Sequence, residues 1–217
     1  MHTKTLVAFL ACAFLFAATE ATYGVDISTL ISTSAFSCLI GDGYHFAIPR
    51  CYQSNGKTDP NCPQTIKNAW AAGMAHVDAY IFPCYSCGNP SGQIKTTVDY
   101  LNSNGCKYGM IWLDIEGPQY WSSTVSNNVN FVQSMINEAK ALGVSLGIYT
   151  SKSQWSPIMG SSTIGSPYPL WYAHYDDNPS FSDFVPFGGW TKPAIKQYEG
   201  TTSICGVGID KDWYPSS

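Results

Sequence analysis

What most constrains this chain is a recurrence of short apolar segments and helical patterns. The segments 23–28, 45–51, 76–82, 109–116 and 146–150 read as strands, and helical spacing lies between them. "PQTIKNAWAAG" opens at Pro63 and closes at Gly73. "SGQIKTTVDYLNSNG" opens at Ser91, aligns Ile94, Val98 and Leu101, and closes at Gly105. "SNNVNFVQSMINEAKALG" aligns Val129, Val132, Ile136 and Ala139, and closes at Gly143. Pro or Ser in the first turn and Gly past the last is the capping asymmetry of helices. Repeated strand–helix units build a parallel sheet with helices outside it.

The rhythm then changes. Segments 170–175, 194–200 and 207–214 read as strands, but the link 176–193 has no helical period, and only "TTSICG" joins the last two strands. A parallel crossover needs about a dozen residues or more, so that pair is antiparallel. The predicted fold class is α/β: an irregular TIM-like barrel of five β/α units followed by three strands, with the last hairpin antiparallel. An open doubly wound sheet is the alternative. With 217 residues and 45% hydrophobic content the chain can bury one sizeable core, so 22–217 is expected to form a single domain.

Residues 1–21 read as a secretory signal: "MHTK", the apolar run "LVAFLACAFLFAA", then small residues around Thr19-Glu20-Ala21. The apolar run is short for a membrane span, and no later segment reaches spanning length. The expected location is extracellular, or the lumen of a gut or digestive vesicle. Removing the signal leaves Cys38, Cys51, Cys62, Cys84, Cys87, Cys106 and Cys205. In an oxidising compartment these read as up to three disulfides and one free thiol, with the pairing undetermined. Cys84-x-x-Cys87 has redox spacing, but "CYSCGNP" is loop-like, so a structural bridge is favoured over a secreted redox protein. The net charge of −4 and the lack of a basic patch argue against nucleic acid and against cationic membrane disruption.

Successive side chains on a strand point to opposite faces. In "GMIWLDIE", Ile111, Leu113 and Ile115 share one face, while Met110, Trp112, Asp114 and Glu116 share the other. The aliphatic face suits the helical layer, so the acids point into the barrel. Likewise Asp26 points inward between Val25 and Ile27, and Asp210 and Asp212 oppose Val207 and Ile209. On 76–82, Asp78, Tyr80 and Phe82 oppose Val77, Ala79 and Ile81. Asp114 and Glu116 lie at the C-terminal strand end, where barrels carry their chemistry. Asp26 and Asp210 lie near the same mouth. Four unpaired buried acids would cost several kcal/mol each by order of magnitude, which points to chemistry. Calcium is the competing use, but no dense run of oxygen ligands stands at loop spacing. Neither metal nor cofactor is expected.

The pieces "GVDIS", "DAYIF", "WLDIE", "GIYTS", "LWYAHYD", "IKQYEG" and "GIDKDWY", in this order, resemble glycoside hydrolase family 25, the Chalaropsis-type lysozymes, and more closely its invertebrate, nematode and protist-like branch. The resemblance covers essentially the whole mature chain. It implies an irregular barrel of five β/α units plus three strands, and cleavage of the β-1,4 bond between N-acetylmuramic acid and N-acetylglucosamine in peptidoglycan. It implies Glu116 as general acid, Asp114 as its carboxylate partner, Asp26 as the acid of the first strand and Asp210 as that of the last. Tyr80, Trp171, Tyr175 and Gln197 match positions that line the sugar groove. The departures are Ile81 where bacterial members usually carry His, Asp212 where they carry Asn, and the cysteine-bearing "PRCYQSNGKTDPNC". The expected partner is peptidoglycan, bound by a monomer with no stable membrane association. The alternatives are a non-catalytic peptidoglycan-binding immune effector and a chitin-type glycosidase. Of the chitinase signature D-x-x-D-x-D-x-E, only the last D-x-E is present.

Overall fold

A closed ring of strands carries the side chains singled out above. The structure, a computed structural model, describes residues 21–215; the expected signal at 1–21, but for its last residue, lies outside the described residues. The strands are β1 (Thr22–Ile27), β2 (Tyr44–Gln53), β3 (Lys57–Thr58), β4 (His76–Val77), β5 (Ala79–Ile81), β6 (Ile111–Asp114), β7 (Leu146–Thr150), β8 (Leu170–Ala173), β9 (Ile195–Ile204) and β10 (Val207–Tyr214). The helices are α1 (Thr33–Gly41), α2 (Cys62–Ala72), α3 (Pro90–Ser103), α4 (Val125–Ala141) and α5 (Lys152–Met159).

Pairing runs in parallel from β1 through β2, β5, β6, β7 and β8 to β9. β10 then enters antiparallel to both β9 and β1 and closes the ring. Among the described residues the fold is thus a mixed α/β eight-stranded barrel with five α-helices and antiparallel final strands. β4 and β5 are two pieces of the one strand expected over 76–82, parted at Asp78. β3 is a short antiparallel addition to β2, in the cysteine-bearing stretch.

Strand alternation sorts the core into two layers. Val25, Ile27, Val77, Ala79, Ile81, Ile111, Leu113, Ile115, Leu146 and Ile148 face the helices. Phe46, Ile48, Tyr80, Trp112, Tyr149, Trp171 and Ile195 fill the barrel. Burying side chains of this size removes about 25 cal/mol of unfavourable hydration per Å² of apolar surface. Trp112 and Trp171 meet edge to face at 5.8 Å. Gly147 is required here, because a Cβ on it would lie 2.3 Å from the Trp112 ring.

Helices α1 and α5 have no counterpart in the sequence expectation. "TSAFSCLIG" is short and rich in Ser; its helix is fixed by the Ser32 hydroxyl accepting from Ala35 N at 3.2 Å and by burial of Phe36 and Leu39. "KSQWSPIM" holds Pro157 inside the helix, which removes a backbone donor. Burial of Trp155, Ile158 and Met159 outweighs that local cost. Two strand ends also differ from expectation. β6 stops at Asp114 and β8 at Ala173, so Glu116 and Tyr175 stand on the segments that follow.

"TTSICG" is largely strand. β9 extends to Ile204, and the turn is only Cys205–Gly206, both at positive φ (56° and 74°). That is the pair of left-handed residues a tight two-residue hairpin needs. The tip, Thr202–Ile204 against Val207–Ile209, pairs only with itself, while β10 meets β1 from Asp210 onward. A bulge at Gly200–Thr201 bends the hairpin where the tip leaves the barrel. Cys205 is bonded to Cys38 of α1, which ties the tip to the helical layer; among the described residues Cys51–Cys62 and Cys84–Cys87 are the other bridges, and Cys106 is free.

Candidate active site

At the C-terminal mouth of the barrel, inward alternation and strand ends bring nine side chains round one narrow cavity of about 80 Å³: Asp26, Tyr80, Asp114, Glu116, Tyr149, Trp171, Tyr175, Gln197 and Asp210. Eight of these are the residues named from the sequence. The ninth, Tyr149, was missed, although its place on "LGIYT" gave the signal. It alternates with the outward Leu146 and Ile148 and sits at the mouth end of β7. A groove of about 280 Å³, lined by Ser28, Thr29, Thr201, Thr202 and Gly208, opens off the cavity and shares Asp26, Tyr80 and Asp210 with it.

Larger hollows lie elsewhere. One of about 530 Å³ lies between α5 and residues 183–187. Another of about 300 Å³ lies at the opposite barrel end, near Asp78. Asp78 accepts from Met110 N and Trp112 Nε1, both at 2.8 Å, so its acceptor capacity is spent on structure. Chemistry rather than size singles out the small cavity.

Gln197 organises the mouth. Its Oε1 accepts from the hydroxyls of Tyr149 at 2.6 Å and Tyr175 at 2.8 Å. Its amide nitrogen is thereby turned to donate to Asp26 Oδ2 at 2.5 Å and Asp210 Oδ2 at 3.3 Å. Thr201 N, on the bulge, donates to Asp210 Oδ1 at 2.5 Å. Behind this layer Trp171 Nε1 donates to Asp212 Oδ1 at 2.8 Å, so Asp212, expected inward, is buried and lies outside the cavity lining.

Glu116 stands two residues beyond Asp114 on a segment held from outside. Thr150 Oγ1 donates to Ile115 O at 2.7 Å, Trp121 Nε1 to Glu116 O at 2.9 Å, and Gly117 N to Gln154 Oε1 at 2.8 Å. Gly117 has a φ of +64°, a conformation that favours glycine. The Glu116 carboxyl is thus fixed without side-chain bonds that would hold it charged.

Burial and crowded acids push every carboxyl of the mouth upward. Glu116 is raised by burial and then by the Asp210 charge. Asp114, 4% exposed and with no partner for Oδ1, is raised well above the usual range by burial and by Glu116 and Asp26; the more distant Arg50 charge opposes this. Asp26 is raised well by burial and Asp210, against the Gln197 hydrogen bond. Asp210 is raised by burial, against the Thr201 amide. No lysine or arginine among the described residues forms an ion pair with any of them. Arg50 pairs with Asp59, Lys196 with Asp176 and Asp183, and Lys211 with Glu199. Such crowding favours the protonated form of each acid to higher pH than usual, and those that stay charged can stabilise positive charge.

The family model "Lysozyme-like protein 1" matches residues 17–198. "Probable GH family 25 lysozyme 2" of Dictyostelium discoideum is 56% identical over 192 residues, covering 88% of this chain and 90% of its own. "Lysozyme-like protein 5" of Caenorhabditis elegans is 41% identical over 88% of this chain and 91% of its own. Among solved structures, a family GH25 lysozyme from Aspergillus fumigatus superposes with a TM-score of 0.73 at 22% identity, over 91% of this chain and 95% of that one. That last likeness is one of fold; the identities and their coverage carry the kinship, and the chain belongs to glycoside hydrolase family 25, the lysozyme family.

Proposed function

We propose that this chain is a secreted muramidase that hydrolyses the β-1,4 bond between N-acetylmuramic acid and N-acetylglucosamine in bacterial peptidoglycan, in digestion or antibacterial defence. The observation that carries this is the convergence of Asp26, Asp114, Glu116 and Asp210 on one narrow mouth, free of paired cations. Glu116 is the general acid. Its raised pKa keeps the proton that passes to the glycosidic oxygen as the C1–O bond breaks. The substrate's 2-acetamido oxygen attacks C1 from the other side, and Asp114 stabilises the positive charge that spreads over the amide. Water then opens the ring formed, giving its proton back to Glu116. Asp114 and Glu116 line one narrow cavity, so a sugar bound there meets both acids.

Asp26 and Asp210 hold sugar hydroxyls and tune the charge, while Tyr80, Trp171 and Gln197 shape the groove. Tyr175, 58% exposed with its hydroxyl anchored on Gln197, offers its ring for stacking. Residues 22–217 act as one domain and as a monomer, and the reaction uses side chains and substrate alone. Secretion is supported by the N-terminal apolar run and by three disulfides. No helix among the described residues is long and apolar enough to cross a membrane. The acidic net charge argues against nucleic-acid partners.

The test is mass spectrometry of muropeptides released from purified walls. A newly reducing N-acetylmuramic acid end is expected. A reducing N-acetylglucosamine end, or preferential release of sugar from chitin oligomers, would replace this reading with another glycosidase. Wall binding without loss of turbidity would make the protein a non-catalytic binder.

A further inference from the structure

Asp212 is an acid of the barrel interior that the proposed reaction does not use. It is fully buried. On β10 it stands opposite Gly24 of β1, which has no side chain, while Asp26 pairs with Asp210. The diagonal neighbour of Asp26 on the same face of the two strands is therefore Asp212. Both side chains point into the barrel, and the Asp26 charge acts on the Asp212 carboxyl. Asp212 Oδ1 accepts from Trp171 Nε1 at 2.8 Å, and Oδ2 has no hydrogen-bond partner among the described residues. A fully buried carboxyl with one oxygen left without a donor, beside a second acid, is more stable carrying a proton than as an anion. Asp26 Oδ2 already accepts from Gln197, whose orientation the two tyrosine hydroxyls fix. Asp26 is thus built as the acceptor, and Asp212 is left as the donor. The ionisable groups around it are Asp26, Asp210 and Tyr198, with Glu116 and Asp114 across the cavity, all acids or phenols. No lysine or arginine among the described residues forms an ion pair with any of them.

We propose that Asp212 is a positioning residue: it keeps its proton at the working pH, donates it to Asp26, and so holds Asp26 as an oriented anion facing the sugar. This rests on the muramidase reading above. Burial, reinforced by the Asp26 charge, pushes the Asp212 carboxyl well up, in the same sense.

The test compares wild type with Asp212→Asn and Asp212→Leu. Asn still donates to Asp26 and accepts from Trp171; Leu does neither. Infrared difference spectra of wild type minus Asp212→Asn near neutral pH should show the C=O stretch of a protonated carboxyl lost in the variant; its absence would overturn the proposal. In wall lysis, Asp212→Asn should rescue activity to within about threefold of wild type and leave the acid limb of the pH profile in place. Asp212→Leu should lose roughly ten- to a hundredfold in kcat and move the acid limb up by about one pH unit, because Asp26 loses a donor to its charged form. If Asp212 were an anion, removing it would relieve Asp26, and both variants would move the limb downward, which sinks the idea. Should Asp212→Leu fail to fold, Asp212→Asn and the infrared band still decide. Should wild type not cleave walls, the muramidase reading fails while the band reports on the proton alone.

Discussion

Glu116 takes its character from its surroundings. It is half-buried, has no side-chain donor, and sits near Asp210 in a region without paired cations, so its proton is retained to higher pH than on an ordinary glutamate. Glu116→Gln keeps the shape and removes the proton. Wall lysis by a variant that melts like wild type should drop by about 10²–10⁴-fold. Near-normal lysis would remove Glu116 from the role. In wild type, activity should hold up to the raised Glu116 pKa and fall as pH rises through it, which places the optimum on the acid side of neutrality. A pH–rate profile still climbing above about pH 8 would contradict this. At this scale much of the site was legible, since strand alternation alone aims Asp26, Asp114, Glu116 and Asp210 the same way. Tyr149 was not recognised because a tyrosine on a buried strand reads first as core, and its hydroxyl's tie to Gln197 belongs to a residue 48 positions away.

Among the elements, the β9–β10 hairpin links stability to the site. Its apolar side chains Ile204, Val207 and Ile209 pack on the outer core. Its bulge supplies the Thr201 amide to Asp210, and its tip is bonded to α1 through Cys38–Cys205, which closes a separation of 167 residues. A loop of that length constrains the unfolded chain by about 5 kcal/mol in the chain-entropy treatment, with ~2–4 kcal/mol more usual. The Cys38→Ala/Cys205→Ala pair should therefore melt roughly 5–15 °C lower. It should also raise KM more than it lowers kcat, because Thr201, Thr202 and Asp210 wall the groove. An unchanged KM would show that packing alone holds the wall. The hairpin's antiparallel sense was legible from the short link; its bend was not, since a bulge leaves no local signature in "EGTTSICG". Helices α1 and α5 escaped for a related reason. Ser-rich and Pro-bearing segments become helical only because Phe36, Leu39, Trp155 and Ile158 find a core made by distant strands.

Over the whole molecule, the ordered strand–helix units made the barrel legible, whereas the ends of β6 and β8 depended on tertiary contacts to Gln154 and Gln197. The collected acids also set how stability follows pH. Asp26, Asp78, Asp114, Glu116, Asp210 and Asp212 all have folded-state pKa values above their unfolded ones. Each contributes stability that is complete below the unfolded value and lost as pH rises through the folded one. Asp176, Asp183 and Glu199 act in the opposite sense, with Asp183 lowered to about 2. They are more exposed and fewer. The melting temperature should thus be higher near about pH 5 than near about pH 8, and scanning calorimetry at the two values checks it. A Tm that rises toward alkaline pH would mean that the interior acids are ionised and paired in ways the structure does not contain. The bond from Cys38 to Cys205 has one more consequence. A reduced chain would keep its ring of strands but leave one bank of the cleft unfastened, so the grip on polymer expected of the proposed muramidase should tighten once the bond forms in an oxidising space.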